Sequence, residues 1–315
     1  MLNIWQKLKK PIIALAPMEE VTDSAFRQII IEKGRPDILF TWFVSTDGLI
    51  SEGKERVIKD LYFDKKEHPI IAQIFGNNPD NFYKTAKLLK KMKFDGIDIN
   101  MGCPVKKVIK QGVCSALIDK PELAKEIILA TKKGAGGLPV SVKTRLGTNK
   151  NTIDKWISTL IEVEPAAITL HGRTSKEMSK VPNNFEEIGR VAQIIKAKNP
   201  HIIFLGNGDI KSVEEGKEIA KKYNLDGVML GHAIFGNPWL FSKHKKEDLP
   251  FNEIAKTLIK HTKLFAKLHS HRNFNIMKKH FASYIEGFAG AKELRAKLMT
   301  AKNSKDVEKI LKNLI

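Results

Sequence analysis

The chain contains eight short runs of apolar, mostly β-branched residues, and longer amphipathic stretches separate most of them. Short apolar runs that alternate with helical patterns are typical of repeated βα units around a parallel sheet. Pro79 and Pro121 begin two of the amphipathic stretches, as expected of a helix N-terminus. The predicted strands are 12–16, 38–43, 70–74, 96–100, 140–143, 167–170, 202–206 and 227–230. The predicted helices between them are 80–92, 121–132, 152–161, 185–198 and 212–223.

Eight strands within about 230 residues predict an α/β fold of the (β/α)8 TIM-barrel type. A doubly wound open sheet is the alternative, but no Gly-x-Gly-x-x-Gly follows the first run. After Gly236 the strand signals stop, and helical patterns follow over 251–268, 274–285 and 291–314. We therefore predict a barrel over residues 1–240, a linker over 241–250 and a small C-terminal all-helical domain over 251–315.

Positive charge is concentrated at the C-terminal end. The chain has 54 Lys and Arg against 35 Asp and Glu, which gives a net charge of +19. Residues 241–315 hold 17 of these basic residues and only 7 of the acidic ones. Such a balance suits a polyanionic partner, because phosphate contacts dominate affinity for nucleic acids. The alternative is compositional drift in a Lys-rich proteome.

The composition also indicates a compartment. No run approaches the roughly 18 uncharged apolar residues of a membrane span. Lys7, Lys9 and Lys10 interrupt any apolar segment that could resemble a signal peptide. Two cysteines in a large, Lys-rich chain are typical of a reducing environment, so pairing between Cys103 and Cys114 is not expected. We expect a cytoplasmic protein that does not attach to a membrane.

Chemically useful residues follow the predicted strands at their C-terminal ends, the edge at which barrels carry out chemistry. Cys103 lies in the loop Asn100-Met101-Gly102-Cys103-Pro104 after the fourth run and is interpreted as a reactive or proton-donating thiol; a buried core residue is the alternative. Gln73 offers an amide that suits a planar, hydrogen-bonding ring. Lys143 offers a fixed positive charge, which beside N1 and the C2 carbonyl of a flavin would stabilise its reduced anion. An ion pair with Asp98 or another carboxylate is the alternative for Lys143.

Glycine-rich loops follow the last two predicted strands. They are Gly206-Asn207-Gly208-Asp209-Ile210 and Gly231-His232, and the sixth strand leads into Leu170-His171-Gly172-Arg173-Thr174. Glycines let a phosphate approach backbone N–H groups with helix N-termini behind them. Barrels often bind phosphate after strands 7 and 8, so a phosphate-bearing ligand is expected here and no metal.

Taken together, these segments resemble the tRNA-dihydrouridine synthases, a family of flavin-dependent reductases. The similarity extends from about residue 12 to residue 298 and includes Ala16-Pro17-Met18, the Cys103 loop and the stretch 143–147. Tyr284-Ile285-Glu286-Gly287-Phe288 is similar to the helical domain of that family. The resemblance implies FMN as the cofactor, NADPH or NADH as a transient reductant and tRNA as the partner. We expect a monomer.

The resemblance also implies roles for individual residues. Cys103 would be the catalytic proton donor to C5 of uracil after hydride reaches C6. An unperturbed thiol, with a pKa of roughly 8.5, is protonated at neutral pH. The uridine would have to leave its stack, while the basic helical domain holds the RNA. Asn100, Arg145 and Arg173 would bind the uridine. The residues that would bind FMN are Pro17, Met18, Glu19, Gln73, Lys143, His171, Asn207, Gly208, Asp209, Gly231 and His232.

Three positions depart from the family pattern. His232 stands where Arg is usual, Trp42 where an acidic residue is common, and Cys114 where a small residue is common; we interpret Cys114 as a packing residue. Three other functions stay open. They are an FMN barrel that acts on a free pyrimidine or an enone, a lyase in which Lys143 forms a Schiff base, and a non-catalytic RNA-binding barrel.

Overall fold

The computed structural model describes residues 2–312 and 314. Its centre is a parallel sheet in which neighbouring strands follow the order β1-β9-β8-β7-β6-β5-β4-β2, with β3 also paired to β4. A parallel bridge between Ala14 and Ile38 brings β1 next to β2, so the sheet curls into a nearly closed barrel. The strands are β1 (Ile12–Leu15), β2 (Leu39–Phe40), β3 (Val44–Ser45), β4 (Ile70–Phe75), β5 (Gly96–Met101), β6 (Val140–Arg145), β7 (Ala167–His171), β8 (Ile203–Asn207) and β9 (Gly227–Leu230).

Helices surround the barrel and continue beyond it, so the predicted barrel followed by C-terminal helices is confirmed. The helices are α1 (Ile4–Lys7), α2 (Ser24–Lys33), α3 (Thr46–Ile50), α4 (Lys54–Val57), α5 (Pro79–Lys91), α6 (Lys106–Lys110), α7 (Pro121–Ala135), α8 (Ile153–Glu162), α9 (Phe185–Lys198), α10 (Val213–Lys222), α11 (Phe251–Leu268), α12 (Lys278–Tyr284), α13 (Ala291–Met299) and α14 (Ser304–Lys312). Among residues 2–312 and 314, no helix is long and apolar enough to cross a membrane.

The barrel interior is apolar at its N-terminal end. Successive side chains of a strand point alternately into the barrel and out toward the helices. The inward-facing cluster has Trp5 from α1 beside it, with its ring centroid 6.1 Å from that of Phe40. Its members are Ile12, Ala14, Ala16, Ile38, Phe40, Ile71, Ala167, Ile203, Leu205 and Met229. This packing leaves the C-terminal end of the barrel for polar side chains.

The predicted second strand, 38–43, is not continuous. Phe40 pairs with Ile71 and Val44 pairs with Ile74. The three residues 41–43 therefore lie opposite only two residues of β4. One extra residue in a strand is a β-bulge, a feature that is over-represented at barrel rims and next to active sites. Apolar periodicity could not reveal it, because every residue of the run is suited to a strand.

The C-terminal helices dock onto the barrel through one continuous apolar core shared with the outer barrel layer. The predicted helix 291–314 is divided into α13 and α14, because the Asn303 side chain accepts the N–H groups of Lys305 at 2.9 Å and Asp306 at 3.0 Å and so begins a new helix.

Within the predicted linker, Lys246 is buried and donates to the Ser283 carbonyl at 2.5 Å. The segment is therefore held against the helical part. The predicted domain limits stay a prediction.

Candidate active site

The strand register places polar side chains together inside the C-terminal end of the barrel. Gln73 of β4 pairs with Asp98 of β5, and Asp98 pairs with Ser141 of β6. Register partners in a parallel sheet point to the same face, and residues two apart share that face. The structure therefore brings five predicted site residues to the inner rim: Asn100, Lys143, Arg145, His171 and Asn207.

A buried carboxylate organises one side of this rim. Asp98 accepts hydrogen bonds from the Ser141 hydroxyl at 2.6 Å and from the Gln73 amide nitrogen at 2.7 Å. The Gln73 oxygen in turn accepts from the Asn100 amide nitrogen at 3.1 Å. Burial raises the pKa of Asp98 to about 6. The carboxylate thus fixes which end of the Gln73 amide faces Asn100.

Asn100 continues this chain to the cysteine. Its side-chain oxygen accepts the N–H groups of Gly102 and Cys103, each at 3.0 Å, and so holds the turn that carries the half-buried thiol. A hydrogen bond from the Cys114 thiol lowers the pKa of Cys103 to about 7, and the positive charge of Arg145 acts in the same direction. The expectation of an unperturbed thiol is therefore wrong. Cys114 is buried, as expected of a packing residue, and it also lowers the pKa of the reactive thiol.

Arg145 ties the cysteine loop to the loop that follows β7. Its guanidinium donates to the carbonyl oxygens of Gly102 at 2.7 Å and of Thr174 and Met178 at 3.2 Å each. All three acceptors are neutral, and no carboxylate pairs with Arg145 within the described residues. Its charge therefore contributes a positive potential that acts on the Cys103 thiol.

Lys143 of β6 lies on the other side of β5 from Gln73. Its ammonium donates to the Asn207 side-chain oxygen at 2.9 Å, and the Asn207 nitrogen donates to the Met229 carbonyl at 2.7 Å. Burial and the charge of Arg145 lower the pKa of Lys143 to about 8. The ion pair with Asp98 that the sequence left open does not form.

His171, Arg173 and Asp209 form a second cluster beside Lys143. Arg173 donates to the His171 Nε2 atom at 3.3 Å and to the Val181 carbonyl at 2.6 Å, and it forms an ion pair with Asp209. Burial and the neighbouring cations lower the pKa of His171, so the imidazole is neutral. The Arg173 side chain is bound to protein groups on three sides, and its predicted contact with uridine stays a prediction.

The loop after β8 leaves no room for a side chain at Gly208. Its φ is +120°, and a Cβ atom there would lie 2.6 Å from the Asn183 Cγ atom and 2.9 Å from the His171 Cδ2 atom. The Asn183 amide is buried, and both of its polar atoms lack a hydrogen-bond partner within the described part of the chain. An unpartnered amide beside a glycine loop and the Lys143 cation fits a ligand that carries phosphate and hydroxyl groups.

The remaining predicted cofactor residues complete the rim. Pro17 and Met18 are half-buried and Glu19 is exposed in the loop after β1. A Cβ atom on Gly231 would lie 3.9 Å from the Met18 sulfur, so the loops after β1 and β9 adjoin. His232 is exposed at the edge of this surface.

The structure thus brings the predicted residues to one barrel mouth, and their individual roles stay predictions. The model of the family described as "Dihydrouridine synthase (Dus)" matches residues 14–315 of the chain. The chain belongs to the dihydrouridine synthase family. It is 42% identical over 315 residues to the probable tRNA-dihydrouridine synthase of Staphylococcus aureus strain Mu50, with 98% of this chain and 94% of that protein covered. It is 39% identical over 317 residues to the probable tRNA-dihydrouridine synthase 2 of Bacillus subtilis strain 168, with 98% and 95% covered.

Solved structures support the same architecture for this dihydrouridine synthase family member. The old yellow enzyme homologue of Zymomonas mobilis superposes with a TM-score of 0.53 at 12% sequence identity, and the match covers 75% of this chain and 90% of that one. At this identity the likeness establishes the fold, a barrel of the TIM type. The described residues contain no cluster of three or more His, Cys, Asp or Glu side chains suited to a metal ion.

Sequence reasoning missed two residues of the site. Asp98 was considered only as a partner for Lys143, although a carboxylate inside the apolar run 96–99 is a readable signal of a buried polar network. Asn183 gave no signal, because it lies 25 residues before Gly208 in sequence and the fold alone brings the two together.

Proposed function

We propose that this protein uses FMN and a nicotinamide donor, NADPH or NADH, to reduce uridines of tRNA to 5,6-dihydrouridine. The observation that carries the proposal is a thiol with a pKa of about 7, held through Asn100 to Gln73 at the mouth of a barrel that also presents Lys143. Membership of the dihydrouridine synthase family supports the reaction, and the names of the relatives from S. aureus and B. subtilis support tRNA as its substrate.

The rim has donors suited to each part of FMN. The Gln73 amide and the Lys143 ammonium would bind the ring, and the loop of Pro17, Met18 and Glu19 would pack against it. Residues from the ends of β7, β8 and β9 would hold the phosphate and ribityl chain, namely His171, Asn207, Gly208, Asp209, Gly231 and His232, with Asn183 beside them. When bound, FMN supplies the hydride that adds to C6 of uracil.

Cys103 supplies the proton that completes the reduction. The thiol proton goes to C5 as the C5–C6 double bond becomes a single bond, and water later reprotonates the thiolate. A pKa of about 7 suits this step, because a general acid works best with a pKa near the working pH. Cys114 and Arg145 stabilise the thiolate that remains. Asn100 and Arg145 keep the thiol in place for the uridine.

The helical domain over 251–315 is proposed to hold the tRNA, while the barrel over 1–240 supplies the site and residues 241–250 link the two. Its excess of basic residues attracts phosphates, and the enzyme extrudes a uridine at a cost of a few kcal/mol. A free thiol at Cys103 needs a reducing compartment, which supports a cytoplasmic location. We propose that the protein acts as a monomer.

The decisive experiment compares the wild-type protein with the Cys103→Ala variant. Both are expected to show the visible absorption of oxidised flavin after incubation with FMN, and NADPH is expected to bleach it equally fast in both. Dihydrouridine in an unmodified tRNA transcript, measured by mass spectrometry, is expected to form about 10²–10⁴ times more slowly in the variant, the usual contribution of a positioned acid.

The Cys114→Ala variant is the matched control. It is expected to make dihydrouridine with its pH dependence moved to higher pH, since the Cys103 thiolate loses its hydrogen-bond donor. Absence of flavin binding would refute the proposal, and so would equal turnover of the Cys103→Ala and wild-type proteins. Turnover of free uridine at the rate of tRNA would favour the alternative, a reductase of free pyrimidines.

A further inference from the structure

A pocket of about 180 Å³ opens beside the barrel mouth, between the bulge of residues 41–43 and the C-terminal helices. Apart from Glu19, its lining is distinct from the residues proposed to bind FMN and uridine. The lining includes Glu19, Trp42, Phe43, Asp60, Phe75 and Arg272. We call it the bulge pocket.

The bulge pocket lies on the side of the barrel mouth that carries the reactive thiol. Ile74 of β4 pairs with Ile99 of β5, so Phe75 comes next to Asn100, the residue that holds the Cys103 turn. Adjacent strands lie only about 4.8 Å apart. Glu19, another wall of the pocket, is close enough to Cys103 for its charge to oppose ionisation of the thiol. A ligand in the pocket would therefore lie near the base that Cys103 protonates.

The size and walls of the pocket suit one planar ring. An apolar cavity of roughly 150 Å³ holds a single benzene molecule, so this volume takes one heteroaromatic ring and excludes a whole dinucleotide. Phe43 and Phe75 lie with ring centroids 5.3 Å apart at an interplanar angle of 82°. Both are half-buried, and they offer a face and an edge to a ring that enters from solvent. Nucleobases stack on such side chains.

The charges in the pocket favour a base over a phosphate. Asp60 is paired with Arg272, with the guanidinium Nε atom at 3.0 Å, and Glu20 is paired with Lys279. Glu19 forms no ion pair within the described residues and keeps its acceptor oxygens. A free carboxylate repels phosphate and accepts from the exocyclic amino group of cytosine, adenine or guanine.

We propose that the bulge pocket binds the base of the nucleotide next to the target uridine in the tRNA chain. This inference rests on the proposed function. Extruding a uridine unstacks its neighbours, and contacts to the flanking nucleotides are a general source of sequence context in enzymes that act on extruded bases. The pocket stabilises one unstacked neighbour and prefers a base with an amino group.

The test uses the Phe43→Leu variant, which removes the flat aromatic ring and keeps an apolar side chain. The matched control is Phe185→Leu; Phe185 is also half-buried and stacks on Tyr223 at 5.9 Å, but on the outer flank of the barrel. For an unmodified tRNA transcript, kcat/KM is expected to fall about 5- to 100-fold in Phe43→Leu, the range that loss of one base stack gives. The rate of flavin reduction by NADPH is expected to stay unchanged, and Phe185→Leu is expected to alter neither rate.

A double-mutant cycle identifies the occupant. After the modified uridine is mapped, transcripts with an abasic site on its 5′ or its 3′ side are assayed with the wild-type and Phe43→Leu proteins. At one of the two positions the abasic site is expected to lower kcat/KM of the wild-type protein. At that same position it is expected to cause no further loss of kcat/KM in the Phe43→Leu protein, which already lacks the stacking ring. Additive losses at both positions would overturn the inference.

The outcomes separate the two proposals. A wild-type protein that forms no dihydrouridine would overturn both. A wild-type protein that forms it, while Phe43→Leu matches Phe185→Leu, would overturn only the bulge pocket. Loss of flavin reduction in Phe43→Leu would also contradict the inference, because it would mean that Phe43 supports the cofactor instead.

Discussion

At the scale of single residues, Asp98 determines the orientation of the amides that hold the cysteine turn. The carboxylate accepts from Gln73 and Ser141, and an asparagine side chain keeps an oxygen for only one of them. If that oxygen stays on Gln73, the Ser141 hydroxyl must accept from the new amide nitrogen in place of donating. If the Gln73 amide turned over to compensate, its nitrogen would face the Asn100 nitrogen, and Asn100 would have to turn as well. The Cys103 turn would then lose its acceptor.

We predict that Asp98→Asn slows dihydrouridine formation and moves the pH profile of Cys103 alkylation by iodoacetamide, with a loss of about 1–3 kcal/mol in unfolding free energy. Asp95→Asn is the control, because Asp95 accepts the Ile70 N–H at 2.7 Å at the other end of β4 and β5. Both variants should lose stability, but only Asp98→Asn should change the alkylation profile. Identical profiles for the two variants would show that Asp98 has a structural role alone.

The position of a residue on the rim was predictable where it depends only on its place in a strand. Gln73, Lys143 and His171 come at the ends of apolar runs, so the sequence sufficed to bring them to one rim. The lowered pKa of Cys103 was not predictable, because it depends on Cys114. Cys114 reaches the thiol through a 3-10 turn (Cys114–Asp119) in which its own φ is +55°. A pattern of apolar residues does not encode such a contact.

At the scale of elements, the loop after β8 forms the cradle for the expected phosphate. We predict that Gly208→Ala abolishes flavin binding, since the added Cβ would collide with Asn183 and His171 and the backbone would stay strained at φ +120°. Gly137→Ala is the control: its φ is +96°, but a Cβ atom there would meet nothing within 4 Å. Both variants should lose roughly 1–3 kcal/mol from strain. Flavin content after purification and thermal melting check the difference, and flavin retention in Gly208→Ala would contradict this account.

Strands and helices were predicted well where the hydrophobic periodicity and the length of a segment agree. The interruptions within such segments were not predicted. The bulge at 41–43 lies in a run whose composition suits a strand throughout, so only the pairing with β4 reveals it. The boundary between α13 and α14 did have a local signal, the Asn303 cap, but the amphipathic pattern continues on both sides of it. Both interruptions arise from hydrogen bonds, which hydropathy does not report.

At the scale of the whole molecule, buried imidazoles join the helical part to the barrel. His261 of α11 stacks on Phe26 of α2 with ring centroids 4.8 Å apart, and His280 of α12 meets the same ring edge-to-face at 4.7 Å. His269 lies with its Nε2 atom 3.7 Å from Asp23. Both ring nitrogens of His269 and His280 lack a hydrogen-bond partner in the described structure. Burial lowers the pKa of His269 to about 4 and that of His280 to about 3, and it also lowers the pKa of His261.

Acid is therefore expected to loosen this junction. Between pH 6.5 and about 4 the unfolded chain binds protons at these imidazoles that the folded chain does not, so stability falls as the pH falls through that window. At pH 5 the loss is roughly 2 kcal/mol for each imidazole. Asp23 acts in the opposite direction: burial raises its pKa to about 7, so the folded chain gains a proton there as the pH falls. The stabilisation from protonating Asp23 offsets the loss from about one of the three imidazoles, so the net effect of lowering the pH on this junction is destabilising.

We predict that His280→Phe flattens this acid dependence. The substitution keeps an aromatic ring on Phe26 and removes a group that the folded state must hold neutral, so the difference in unfolding free energy between pH 7 and pH 5 should shrink by roughly 2 kcal/mol. Urea titrations at the two pH values measure it. His201→Phe, at an exposed position on the barrel, should leave the difference unchanged. An unaltered pH dependence in His280→Phe would mean that the imidazole binds protons in the folded protein as readily as in the unfolded chain, and that water therefore reaches the junction at this point.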